Sequence, residues 1–109
     1  MDARTRRIAG NETIFREVNE RIKDVNLGFA ADEPADFLCE CGRADCTQPV
    51  GLTLAEYEEV RRDPTHFAVA PGHEFPDIER VLSQNERFGV VEKVAPAAAE
   101  VAVERDPRS

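Results

Sequence analysis

The sequence predicts an α+β fold in one small domain: a long N-terminal helix, short β-strands arranged as hairpins, and one short central helix. Three observations carry that expectation. Phe15, Val18, Ile22 and Val25 recur at 3-4-3 spacing, the repeat of a helix face. Thr53 to Glu56 has the S/T-x-x-E pattern of a capping box, which marks a helix start. The remaining apolar residues fall in short runs separated by turn formers such as Pro71-Gly72, the punctuation of strands.

Taken in order, Asn11 is the expected N-cap of the first helix, which runs to about Asn26, with Gly28 as its stop. Glu12–Arg16 and Glu17–Arg21 are i,i+4 pairs expected on the side away from the apolar stripe. The stripe follows a heptad for two repeats, so it packs on its own domain or, alternatively, on a dimer or partner helix. Residues 31–36 (ADEPAD) form a polar link. Phe37-Leu38 is a short strand, answered by Val50–Leu52. The capped helix spans 54–62, with Leu54, Tyr57 and Val60 on one face, and Asp63-Pro64 ends it. Phe67–Ala70 is a strand and Pro71-Gly72 a turn that carries His73. Ile78–Ser83 and Phe88–Val94 make a hairpin about Gln84–Glu86, although apolar residues in the first arm do not alternate cleanly. The polar, charged residues 1–10 are expected to be flexible. Residues 95–109, with two prolines, small residues and charges, are expected to form a disordered or weakly helical tail. The folded domain then spans 11–94.

The net charge of −8 disfavours nucleic acid and anionic membranes as partners. Only Arg4, Arg6 and Arg7 make a basic cluster, which reads as a solvated end. No apolar run approaches the roughly 18 residues of a membrane span, and the first residues lack the apolar core of a secretory leader. The expected location is the cytoplasm, where thiols stay reduced.

All three cysteines lie in LCECGRADC, residues 38–46, at C-x-C-x4-C spacing. An odd count leaves one thiol outside any disulfide scheme. Three thiols among Gly, Asp and Arg make a poor core segment. They make a good metal loop: sulfurs at i and i+2, and a third across a tight turn, converge on one ion. A small domain with few large apolar residues often needs such a staple. Zinc is the expected ion, because an iron–sulfur cluster would want a fourth cysteine. Gly42 follows the second cysteine, where the backbone bends sharply. Glu40 is expected to point away toward solvent, and Arg43 to offset part of the thiolate charge.

The expected ligand set is Cys39, Cys41, Cys46 and His73. His66 is the alternative fourth ligand, though it more simply tops the C-terminus of the 54–62 helix. A water, a carboxylate or a neighbouring chain would also fill that position.

The motif Cys39-Glu-Cys41-Gly42-x3-Cys46 resembles the post-SET element of histone-lysine methyltransferases, which gives three zinc ligands locally and takes the fourth from elsewhere in the fold. The likeness covers only the motif, and the chain is too short for a SET domain. More broadly, IFREVNERI (14–22), FLCECGRADCTQPVGLTLAEYEEVRRDPTHFAVAPGHE (37–74) and FGVVEK (88–93) resemble a group of short actinobacterial proteins with no established activity. That resemblance implies a bacterial, cytosolic, single-domain protein, and favours His73 over His66 through the Pro-Gly-His-Glu turn. Gly51 and Gly89 stand where bulkier strand residues would be expected in that group.

No H-E-x-x-H, Gly-rich phosphate loop or nucleophile elbow is present, so no catalytic residue is expected. The leading expectation is a structural-zinc protein that acts as an interaction or regulatory module, with a protein partner, as a monomer or a helix-mediated homodimer. A thiol-based redox or zinc-release sensor is the alternative. A zinc hydrolase with Glu74 or Glu40 as base ranks third, because three thiolates lower the Lewis acidity of the ion.

Overall fold

The computed structural model describes residues 3–26, 33–46 and 48–108. Helix α1 spans Ala3–Asn26, followed by strands β1 (Ala35–Leu38) and β2 (Pro49–Leu52). Helix α2 (Leu54–Arg61) and strand β3 (His66–Val69) come next. Strands β4 (Glu79–Gln84) and β5 (Gly89–Lys93) precede helix α3 (Pro96–Glu104). The α+β class, the long first helix, the hairpins and the short central helix are as the sequence predicts. The expected stop at Gly28 lies outside the described residues.

Strands β1 and β2 pair antiparallel, with Phe37 opposite Val50 and Asp36 opposite Gly51. The second sheet has the order β3-β5-β4, all antiparallel. Gly89 sits in regular pairing with both Val69 and Gln84, so neither glycine interrupts its strand. The unclean alternation of the first hairpin arm has a structural cause. Register shifts between Val81 and Ser83, and Arg80–Gln84 are exposed on both faces of the sheet. A bulge on an edge strand breaks the period of two.

Helix α2 is built as its sequence indicates. The Glu56 amide donates to Thr53 Oγ1 at 3.1 Å, and the Thr53 amide donates to Glu56 Oε1 at 2.9 Å. Tyr57 and Val60 are buried, and the Tyr57 ring stacks on Phe37 at 4.6 Å, joining α2 to the first sheet.

Two boundaries differ from expectation. Helix α1 begins at Ala3, so Asn11 lies inside it rather than capping it, and the supposedly flexible residues 3–10 bury Thr5, Ile8 and Ala9. The tail is helical from Pro96 and buries Ala97, Ala98, Val101 and Ala102; Ala98 and Val101 pack in a cluster with Ile8, Ala9 and Ile78, and Ala102 joins the main core. Asp106 continues this docking through an ion pair with the buried Arg61 of α2. Sequence composition missed both ends because each is held by the other. Small residues on α3 let its backbone come close to α1, a gain visible only once both are helices.

The buried face of α1 also differs from expectation. Of the apolar stripe, Val18 is 37% exposed and Val25 72%, while Phe15 and Ile22 are half-buried and Ile22 packs against the core. The side facing the core carries Glu12, Arg16 and Asn19, each fully buried. The expected pair Glu12–Arg16 is split between distant partners. Glu12 and Glu79 both bind the Lys93 ammonium. Arg16 donates to the His66 carbonyl at 2.6 Å and lies 3.6 Å from the Phe67 ring centroid. Charged residues normally face solvent, so a pattern of apolar residues alone points to the wrong face. Here the charges are buried because β3, β4 and β5 supply compensating groups.

Candidate metal centre

The first sheet and the end of β3 bring the site together. Cys39 follows β1 directly, Cys41 and Cys46 lie in the loop before β2, and His73 lies in the turn after β3. The Cys46 amide donates to the Arg43 carbonyl at 3.0 Å, which closes the tight turn between the second and third sulfurs. Gly42 has φ +82°, and a Cβ there would come within 2.8 Å of the Ile8 carbonyl oxygen. Only glycine combines that backbone with so close an approach to α1. On the other side, the His73 amide donates to the Ala70 carbonyl at 3.0 Å and sets the direction of the Pro71-Gly72 turn.

The four expected ligands meet. Their donor atoms all lie within 4.8 Å of one another. His73 Nδ1 is 3.5 Å from Cys39 Sγ and 3.7 Å from Cys46 Sγ. Bond lengths of about 2.3 Å to sulfur and 2.0 Å to nitrogen, at a tetrahedral angle, put those atoms roughly 3.6 Å apart. The two separations from His73 match that spacing, and the four atoms together could hold a metal ion. His66, the alternative, is elsewhere. Its Nε2 lies 3.1 Å from a Glu92 carboxylate oxygen and 3.5 Å from one of Asp63, so its side chain joins a surface carboxylate pair rather than the cysteines.

The electrostatics suit shared negative charge. The Ala70 amide donates to Cys39 Sγ at 3.1 Å. Backbone N–H groups of Arg43 and Gln48 act in the same sense on Cys41 and Cys46. Each sulfur thus has one backbone donor, which stabilises a thiolate. Cys41 is held down to about 4, first by its hydrogen bond with Cys39. Cys39 is pushed up, by that same bond and then by burial. Cys46 is pushed up chiefly by burial. Without a cation the three sulfurs favour one shared charge, whereas a dication would draw the protons off the others.

Glu40 corrects one expectation. It is fully buried rather than solvent-facing. Chain alternation does turn it away from the sulfurs, but the opposite face is covered by α1 and β3. Its carboxylate accepts from Asn19 Nδ2 at 2.8 Å and from the Ala68 amide at 2.9 Å. Arg43, expected to offset thiolate charge, is exposed, and its guanidinium lies 4.5 Å from the Phe75 ring centroid.

Sequence reasoning missed the groups that hold the loop. Asn19 accepts from the Leu38 amide and donates to the Leu38 carbonyl, so one side chain completes both hydrogen bonds of the residue before Cys39. Asn11 donates to the Gly42 carbonyl at 3.0 Å. Helix α1 therefore grips the cysteine loop on both sides. The available signal was two asparagines inside a helix, where that residue is a poor former and needs another reason. No family model, curated protein or solved structure matches the chain.

Proposed function

We propose that this chain is a small protein stapled by one structural zinc ion, whose surface acts as an interaction or regulatory module. The observation that carries this reading is the convergence of Cys39, Cys41, Cys46 and His73 within 4.8 Å. Three sulfurs and one nitrogen form a closed set typical of structural zinc. The ion would tie the loop between β1 and β2 to the turn after β3. Hydrogen bonds already join the loop to β3 and to the residue after it: the Glu40 amide donates to the Ala68 carbonyl, the Ala68 amide to the Glu40 carboxylate and the Ala70 amide to Cys39 Sγ.

A non-enzymatic role is supported by the three thiolates, which quench Lewis acidity, and by Glu40, whose oxygens are both engaged away from the site. A protein partner is favoured over nucleic acid or an anionic membrane by the net charge of −8. No helix among the described residues is long and apolar enough to cross a membrane. The outward stripe of Ile14, Val18 and Val25 on α1 supports a helix-mediated contact, with a partner protein or a second copy.

Binding of a structural zinc is folding energy, roughly 10 kcal/mol or more in small domains. Removing the ion with a strong chelator, or making Cys41→Ser, is expected to abolish hydrogen-exchange protection across residues 37–75. X-ray absorption of the loaded protein is expected to show three sulfur ligands and one nitrogen. Retained protection in metal-free protein, or an oxygen ligand in the spectrum, refutes the reading.

A further inference from the structure

The four ligands of the site are not equally sheltered. Cys39 is 1% exposed and Cys41 is fully buried, whereas Cys46 and His73 are half-buried. Both half-buried ligands line an open cavity of about 460 Å³, together with Arg43, Asp45, Gln48 and Pro49. The cavity approaches the cluster from the Cys46 and His73 edge. Cys39 and Cys41 belong to the buried core cluster and do not line the cavity. A solute that enters the cavity therefore meets one sulfur.

We propose that Cys46 is a modification site through which small hydroperoxides open the centre and release its ion. The inference rests on the metal reading above and adds the regulation of that site. A ligated thiolate is the reactive form of cysteine, so access decides which sulfur reacts first. In the first step the Cys46 sulfur attacks one oxygen of the hydroperoxide. The O–O bond breaks, an S–O bond forms, and the departing alkoxide or hydroxide takes a proton. Cys46 becomes a sulfenic acid, oxidised by two electrons, and the peroxide is reduced by two.

In the second step the thiolate of Cys39 or Cys41, both within 4.8 Å, attacks the Cys46 sulfur. An S–S bond forms and the oxygen leaves as hydroxide, which is protonated to water. The site has then lost two of its four donors and no longer holds a dication. Charge around the cavity is mixed, with Arg43 and Asp45 both lining it, so access to the sulfur rather than a local field singles out Cys46.

The test uses the full chain loaded with zinc, its stoichiometry read by native mass spectrometry. It is treated with less than one equivalent of hydrogen peroxide, sulfenic acid is trapped with a cyclic diketone, and peptide mapping locates the adduct. A chromogenic chelator reads zinc release in parallel. The adduct is expected on Cys46 at about tenfold or more over Cys39 and Cys41, with zinc release tracking its formation. Asp45→Trp, at an exposed lining position that makes none of the hydrogen bonds to the sulfurs described above, narrows the cavity. It is expected to slow both signals severalfold at unchanged zinc stoichiometry. An adduct forming on Cys39 or Cys41 as readily as on Cys46, or no adduct at all in zinc-loaded protein, overturns the proposal and leaves the metal reading standing. A chain that takes up no zinc overturns the metal reading, and this proposal falls with it.

Discussion

Glu12→Gln removes a buried charge while keeping the side chain's shape. Glu12 and Glu79 share one ammonium, that of Lys93, and the side chains of Glu12 and Lys93 have no exposure to solvent. Fully ionised, the trio carries one uncompensated negative charge in the core. Burial above all, opposed by the attraction of Lys93 and reinforced by Glu79, raises Glu12 from an ordinary 4.5 to about 8. The unfolded chain releases this proton near 4.5 and the folded chain near 8, so between those values the folded state binds one more proton. The associated stability is full below the unfolded value and is lost as pH rises to the folded one. The slope is about 1.4 kcal/mol per pH unit and the total at most about 5 kcal/mol.

On the proposed zinc reading, ligation would contribute the opposite slope, because thiols and imidazole bind metal better once deprotonated. The difference between variant and wild type cancels that term. Urea unfolding of zinc-loaded protein from about pH 5 to pH 9 should show Glu12→Gln gaining on wild type by about 1 kcal/mol per unit and levelling above about 8. A gap that stays constant over this range would mean Glu12 is ionised throughout in the folded protein, and would refute the reasoning.

Gly42→Ala should cost more than about 2 kcal/mol, because it combines a φ of +82° with a Cβ 2.7 Å from Ile8 Cγ2. Gly72→Ala has a similar φ of +85° but nothing within 4 Å, so thermal unfolding should show a loss of only about 1 kcal/mol; equal losses would contradict the contact with α1. Asn19→Ala removes the hydrogen bonds to Leu38 and Glu40 and should destabilise by about 3 kcal/mol, while also weakening zinc in a competitive chelator titration; unchanged zinc affinity would show that α1 does not hold the metal loop. Val101→Asp puts a charge where α3 meets Ile8 and Ile78 and should cost about 3 kcal/mol or more by urea unfolding, whereas a loose tail would tolerate it.

The elements with local signals are legible in the sequence. The capping box at Thr53 needs only residues within one turn, and the structure forms it as written. The hairpins follow from short apolar runs and their turns. The cysteine loop is likewise local: spacing and Gly42 place three sulfurs near one point, and His73 on a Pro-Gly turn is a reasonable fourth.

What only the tertiary structure decided concerns groups whose partners are far along the chain. Which face of α1 is buried depends on Lys93 and Glu79 for Glu12, and on His66 and Phe67 for Arg16. Glu40 alternates away from the sulfurs as its position demands, but whether that side is water or core depends on α1 lying across it. The terminal helices bury small and apolar residues against each other, against Ile78 and, through Ala102, against the main core. Burying a charge is unfavourable for any segment by itself and becomes tolerable when a distant segment brings the compensating group. The cysteine loop, its local strands and the capped helix can be read from the chain alone, because those interactions close within a few residues. The polar grip of α1 on that loop, and the exposure of Cys46 alone among its sulfurs, exist only once the whole chain is folded.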